Sequence, residues 1–401
     1  MLSQLGGISA EAQSLVRLFL TSEHRQAADL VATWMRDAGM TVSEDALGTV
    51  RGHWHPDKAK RLLIGSHIDT VIDAGKYDGP MGVVIGILAA DALNKAGADL
   101  PFGIDVLAFG DEEGSRFRAT LTSSSACAGV FDRTALASTD VNNVTLDEAL
   151  KAYGKSAGGI AAAAYDPTNV VGYVEVHIEQ GPVLETENLP LGVVTGIVGQ
   201  NRLRVMVLGQ AGHAGTVPMT LRRDALAGAA ELILSIERVA RENEADNMVA
   251  TVGRIEAFPG ATNVISGRVG FSLDLRSSTD ALRVGALEQI RDEASSIAGR
   301  RKLDIVFEPF YETQTTACAP EFQDLFAEAV TALGQRSIRL PSGAGHDAQV
   351  MAKLCPAAML FVRCRGGISH NPAEFASEAD MGLATAALTG FIKRLASRRR
   401  P

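Results

Sequence analysis

Three features of the sequence predict an α/β fold with a second module inserted into it. Helical and strand-like patterns alternate up to about residue 200. A middle stretch then runs strand, helix, two strands, helix, strand, which is the βαββαβ order of a ferredoxin-like unit. Ligand-type side chains follow directly on strand-like runs, where open α/β sheets build their sites.

Met1–Arg25 reads as an amphipathic helix, with Glu11, Arg17, Glu23 and His24 breaking its apolar positions, and Arg25–Ala38 reads as a second helix. Leu62-Leu63-Ile64, Ile104–Phe109 and Val170–Ile178 are short apolar runs, the pattern of strands buried on both faces. Val83–Leu93 has the length and small-residue content of a packed helix. In the middle, Arg202–Leu208 reads as a strand, Leu221–Arg241 as a helix, and Met248–Ile255 and Arg268–Leu275 as strands. Asp280–Ala298 (helix) and Leu303–Phe307 (strand) complete that module, which closes on itself. A helix over Glu321–Leu333, a strand over Ala358–Arg363 and a last helix over Met381–Leu395 return the chain to the first domain. The expected boundaries are 1–200 and 315–401 for the first domain and 201–314 for the insert.

Composition narrows the function. The 401 residues are 46% hydrophobic and 21% charged, as in an ordinary folded protein. Subtracting 47 acidic from 38 basic residues gives −9, a sign that repels phosphate backbones and argues against nucleic acid as a partner. Cys127, Cys318, Cys355 and Cys364 form no CxxC pair and are too sparse for a disulfide framework, which suits a reducing compartment. The longest apolar stretch, Met81–Leu93, is interrupted by Asp91 and falls short of the ~20 residues a bilayer needs. The first 25 residues lack the apolar core of a signal peptide, so a cytoplasmic protein is expected. Arg398-Arg399-Arg400 reads as a solvated tail.

Of eight histidines, His67, His177, His213, His346 and His370 lie in glycine-containing, turn-like contexts. Gly65-Ser66-His67-Ile68-Asp69-Thr70 follows the first strand, and Asp69 can accept the second ring N–H of a metal-bound His67. Tyr77-Asp78-Gly79-Pro80 opens a helix, Asp111-Glu112-Glu113-Gly114 follows the second strand, and alternation sets Glu175, His177 and Glu179 on one face of the third. Gly366-Gly367-Ile368-Ser369-His370-Asn371-Pro372 follows the fourth. Each has an ordinary alternative: a turn histidine, an N-cap aspartate, a solvated acidic turn. Together, one imidazole or carboxylate per loop matches a carboxylate-bridged pair of divalent metals, Zn²⁺ or Mn²⁺.

These motifs resemble the dinuclear metalloamidohydrolases that include allantoate amidohydrolase, N-carbamoyl-L-amino acid hydrolase and β-ureidopropionase, relatives of the aminoacylase and carboxypeptidase G type of metallopeptidase. His177-Ile178-Glu179-Gln180-Gly181 and Gly343-Ala344-Gly345-His346-Asp347-Ala348 mark this branch, and the resemblance spans nearly the whole chain. It implies a zinc-peptidase-like catalytic domain with an inserted ferredoxin-like lid and dimerisation domain. It also implies two divalent metal ions per subunit. His67 and His177 would hold one, Glu113 and His370 the other, with Asp78 bridging. Glu112 would be the general base and Asp69 would orient His67.

His213, in Gly209-Gln210-Ala211-Gly212-His213, matches the family histidine that reaches the partner subunit's site to stabilise an oxyanion. Asn263 and Arg276 match the carboxylate-binding pair, although Arg276 read by itself is a surface ion-pair residue. Gln180, Gln200 and His346 are further pocket candidates. Where relatives carry Gly-Ser, a basic residue and Ala, this chain has Ser123-Ser124-Ser125-Ala126, a departure assigned to the substrate wall.

The implied enzyme is a homodimer, each site completed by the partner's lid, that hydrolyses a ureido or carbamoyl C–N bond in a small carboxylate. Allantoate is the expected substrate and an N-carbamoyl-L-amino acid the alternative. An aminoacylase or dipeptidase, and a binding protein that kept only the fold, are more distant rivals; the latter should have lost ligands, and all five are present.

Overall fold

Apolar runs in this chain form the parallel centre of a sheet. Strands Gly103–Phe109, Arg61–His67, Val170–Ile178 and Ala357–Val362 lie side by side in that order, parallel throughout. The computed structural model describes residues 1–399, and nearly every residue of these four strands is buried. Both faces are covered, which is why the strands read as continuous hydrophobic runs instead of alternating ones. The hairpin Thr41–Glu44/Val50–Trp54 extends one side, and Leu191–Ile197 pairs antiparallel on the other. The helix Pro80–Lys95 packs so closely that a methyl at Gly82 would overlap the Val176 carbonyl. The helix Glu378–Arg399 packs against Pro320–Ala332, with Phe391 stacked on Phe326 at 4.2 Å. This unit comprises Met1–Thr195 and the chain from Ala317 onward.

Both expectations for the chain ends need correcting. Met1–Arg25 is not one helix: Leu2–Gly6 is a single turn, and a regular helix starts only at Ser22. Arg17 is the cause, because its guanidinium is buried and donates to the carbonyls of Leu5, Ile8 and Ile68 (2.6–3.1 Å). A surface helix could not supply those acceptors. At the other end Arg398 and Arg399 belong to the last helix and pair with Glu328 and Glu321 instead of forming a tail; Arg400 lies outside the described residues.

The second unit, Gly196–Thr316, is an antiparallel sheet with helices on one face. Gly199–Leu208 lies between Arg268–Ser277 and Asp304–Thr313, with Ile255–Phe258 and Val249–Thr251 along the far side of Arg268–Ser277. Leu203, Val205, Val207, Val269, Phe271, Leu273 and Leu275 are buried under the helices Ala225–Glu242 and Asp280–Arg301, while their neighbours in sequence face outward. This alternation marks a sheet covered on one side. The strand expected over Met248–Ile255 is broken in two. Around Gly253 the Ser272 hydroxyl accepts the Arg254 N–H at 3.1 Å, replacing a ladder bond. A short ribbon, Gly212–His213 against Val264–Ile265, was not anticipated. Among the described residues no helix is long and apolar enough to cross a membrane.

Candidate active site

The carboxyl ends of the parallel strands bring the ligand-type residues together. His67 ends its strand, His177 lies one residue from the end of its own, and Glu112 and Glu113 follow Phe109. His370 follows Val362 after a short 3₁₀ turn. Asp78 does not cap the next helix: the N-cap is Gly79, and no side chain bonds the cap. Gly79 is required on two counts, its φ of +80° and a position where any Cβ would overlap the His67 imidazole.

Asp78 lies at the centre. Its Oδ1 is 3.1 Å from His177 Nε2 and 3.6 Å from His67 Nε2, and its Oδ2 is 3.3 Å from His370 Nε2. His370 Nε2 is also 3.4 Å from Glu113 Oε2. Two groups with ligand spacing therefore share one carboxylate: His67, Asp78 and His177, and Asp78, Glu113 and His370. Glu112 Oε2 lies 3.9 Å from His67 Nε2.

The other ring nitrogens decide what the site accepts. His177 Nδ1 lies 2.9 Å from the Ile178 carbonyl, and His67 Nδ1 lies 3.2 Å from the Asp69 carbonyl and 3.3 Å from Asp69 Oδ1. With Nδ1–H donating, each Nε2 presents a lone pair, and both Nε2 atoms are buried without a hydrogen-bond partner. Lone pairs aimed at a buried carboxylate repel unless a cation lies between them, so the donor set fits a divalent metal. Asp69 also accepts the N–H groups of Glu112 and Glu113 (both 3.2 Å), joining the ends of two strands through one carboxylate.

Burial alone would raise the Asp78 carboxyl, but positive charge on His177, His370 and His67 outweighs it and holds it well below the ordinary range, the part a cation takes when the imidazoles are neutral. Burial drives Glu112 well above the ordinary range, helped by Glu113 and opposed by His67. Glu113 is pushed up to about 7 by burial and then by Asp78. His370 rises to about 9, chiefly through Asp78.

Three expected roles meet a different geometry. Gln180 donates to Asp78 Oδ2 at 2.9 Å and to Ser369 Oγ at 3.2 Å, so in this structure its amide holds Asp78. His346 is 1% exposed; its ring packs edge-on to His177 at 4.5 Å and its Nε2 is 2.8 Å from Ser342 Oγ, which places it behind a ligand. Ser123 is fully buried and donates to the Gly110 carbonyl, so it braces the loop before Glu112 and is not a substrate wall. Ser125 lies beside Thr120 and Thr122 at a separate surface cavity of about 490 Å³. Glu179 bonds the Val183 and Leu184 N–H groups and stays outside the cluster.

Sequence reasoning missed Ser369, whose Oγ is 2.6 Å from Asp78 Oδ2, and the buried Arg17 tie to Ile68. Ser369 stood inside a quoted motif, but Arg17 carried no signal.

In the second unit the candidates fall into two pairs. His213 lies opposite Val264 in the short ribbon, and the Ala214 N–H donates to the Asn263 carbonyl at 3.0 Å, which brings His213 beside Asn263. Arg276 lies opposite Gln200 on adjacent strands. The Arg276 guanidinium grips Asp274 through Nε and Nη2 (2.9 and 2.8 Å), and the Gln200 Oε1 is buried without a partner.

Residues 63–394 match the profile of peptidase family M20/M25/M40. The chain is 41% identical to an allantoate deiminase of Arabidopsis thaliana over 98% of its own length and 81% of that protein. It is 40% identical to an N-carbamoyl-L-amino acid amidohydrolase of Geobacillus stearothermophilus over 98% and 97%. Among solved structures, an amidase of the hydantoinase/carbamoylase family from Burkholderia multivorans superposes with a TM-score of 0.93 at 33% identity, covering 98% of this chain and 96% of that one.

Proposed function

The chain belongs to peptidase family M20/M25/M40 and is a metal-dependent amidohydrolase acting on C–N bonds, and from that premise we propose that it hydrolyses the ureido group of allantoate. The observation that carries the reading is the single carboxylate, Asp78, shared by two ligand groups, in one of which the His67 and His177 Nε2 atoms are buried without a hydrogen-bond partner. His67, Asp78 and His177 would hold one divalent ion, and Asp78, Glu113 and His370 a second, Zn²⁺ or Mn²⁺. When bound, such ions polarise a ureido carbonyl and acidify water.

The protein's own groups do the rest. Glu112 takes a proton from the attacking water and returns it to the departing nitrogen. Asp69 fixes the His67 tautomer and, through two N–H bonds, the backbone of Glu112 and Glu113. The C–N bond breaks, and the carbamic acid set free decomposes to ammonia and carbon dioxide. The second unit acts as a ferredoxin-like lid and dimerisation domain. Its His213 supplies an oxyanion donor to the partner subunit of a homodimer, and Asn263 and Arg276, with Gln200 opposite Arg276, bind the substrate carboxylate.

A second reading, N-carbamoyl-L-amino acid hydrolysis, is favoured by the Geobacillus relative, which matches across 97% of its length. Ammonia release measured with Mn²⁺ or Zn²⁺ on allantoate and on a panel of N-carbamoyl-L-amino acids separates the two. Turnover of allantoate above every panel member is expected. Preference for a carbamoyl amino acid selects the second reading, and activity only on acyl or peptide substrates overturns both.

A further inference from the structure

Asp78 is held by its backbone as well as by its carboxylate. The N–H groups of Tyr77 and Asp78 both donate to Glu374 Oε1, at 2.8 and 3.1 Å, across nearly three hundred residues of chain. Glu374 Oε2 is 3.1 Å from Ser369 Oγ, the hydroxyl that lies 2.6 Å from Asp78 Oδ2. The side chain is 5% exposed and occupies a slot that exists because residue 75 is glycine: a methyl there would land on the Glu374 carboxylate. Glu374 touches neither His67, His177, His370 nor Glu113 by any hydrogen bond or ion pair among the described residues, so it acts on them only through Asp78, Ser369 and the two loops it joins.

We propose that Glu374 is a positioning residue that straps the loop carrying Asp78 to the loop carrying His370, fixing the Asp78 backbone directly and its Oδ2 through Ser369. Without the strap, the Tyr77 and Asp78 N–H groups lose their acceptor in a buried site, and the 74–79 loop must shift to find another. A shift of that loop moves Asp78 relative to His67, His177 and His370 together. Outer groups that orient metal ligands contribute ~10–100-fold to metal affinity. What the strap needs is reach and an acceptor oxygen; charge is not required. Glutamine keeps the oxygen for both N–H groups and offers an N–H to Ser369 Oγ, whereas aspartate keeps the charge and is one methylene too short.

The inference rests on the metal-binding reading above, and its test separates the two. Mn²⁺ affinity is measured by competition with a chelating dye for wild type, Glu374→Ala, Glu374→Asp and Glu374→Gln, each checked for folding by circular dichroism. Amide exchange of the peptide spanning Tyr77 and Asp78 is followed by mass spectrometry in the chelator-treated proteins. Expected are ~10–100-fold weaker Mn²⁺ binding and faster exchange in the alanine and aspartate variants, with both restored by glutamine. If Glu374→Ala does not fold, the Asp–Gln contrast decides alone. Wild-type Mn²⁺ affinity in a folded alanine or aspartate variant overturns the strap, as does rescue by aspartate in place of glutamine. If wild type itself binds no Mn²⁺, the metal reading fails, and the exchange contrast still tests the strap: equal exchange in all four proteins overturns it.

Discussion

In the first unit His67, Asp78 and His177 are almost wholly buried, with both imidazole Nε2 atoms 3.1–3.6 Å from Asp78 Oδ1, braced by Asp69, Gln180 and Ser369. In the second, His213 and Asn263 are exposed on a two-residue ribbon, and Arg276 is occupied by its own neighbour Asp274. Burying imidazoles and carboxylates without compensation is costly, so a buried, converging set signals something that belongs to the folded protein. Exposed donors on a short ribbon carry no such cost and suit groups that meet their partner only when substrate arrives. The contrast sets a buried, preformed cluster in one unit against exposed side chains in the other.

The largest effect should come from the first unit. Chelation is expected to abolish turnover, and Mn²⁺ or Zn²⁺ to restore it; full activity in metal-free protein would erase the contrast altogether. Next, Glu112→Gln should lower kcat by ~10²–10⁴-fold while metal content stays whole, since Glu112 is assigned to proton transfer. Glu113→Gln should instead lose metal at one site, as read by elemental analysis. Equal metal loss in both variants would mean the two roles are misassigned.

Loss of Arg276 should have a smaller effect and should fall on recognition. Arg276→Ala is expected to raise KM by about tenfold to a hundredfold, the size of a lost charge-assisted pair. Lysine should fail to restore it, because one ammonium cannot replace a bidentate fork. The effect should vanish for a substrate analogue whose carboxylate is an amide; an equal effect there would reduce Arg276 to its ion pair with Asp274. Last, mixing inactive Glu112→Gln and His213→Ala subunits, with exchange confirmed by tags, should return roughly a quarter of wild-type activity if half the dimers are mixed and each has one complete site. Complete exchange with no recovery would place His213 in its own subunit's site or in none.

Much of this was legible because parallel strands buried on both faces leave apolar runs, and the residues after each run stand at the sheet's carboxyl edge. His67, Glu112, Glu113, His177 and His370 could be found that way, each from its own few neighbours. The antiparallel unit was legible through alternation, except where Ser272 bonds across at Arg254 and splits a strand and where the two-residue ribbon at His213 leaves no pattern.

What the sequence by itself determined was the inventory: which side chains can bind a cation, move a proton or grip a carboxylate, and the strand end each one follows. Only the tertiary structure decided that Asp78 is not the helix cap, that the Gln180 amide holds Asp78, that His346 packs against His177, and that Arg17 is buried. The physical reason is range. Periodicity and turn chemistry act over a few residues, whereas Arg17 meets Ile68 and Glu374 meets the Tyr77–Asp78 backbone from far along the chain. Such contacts satisfy buried polar groups wherever the fold places them, and no local pattern records that.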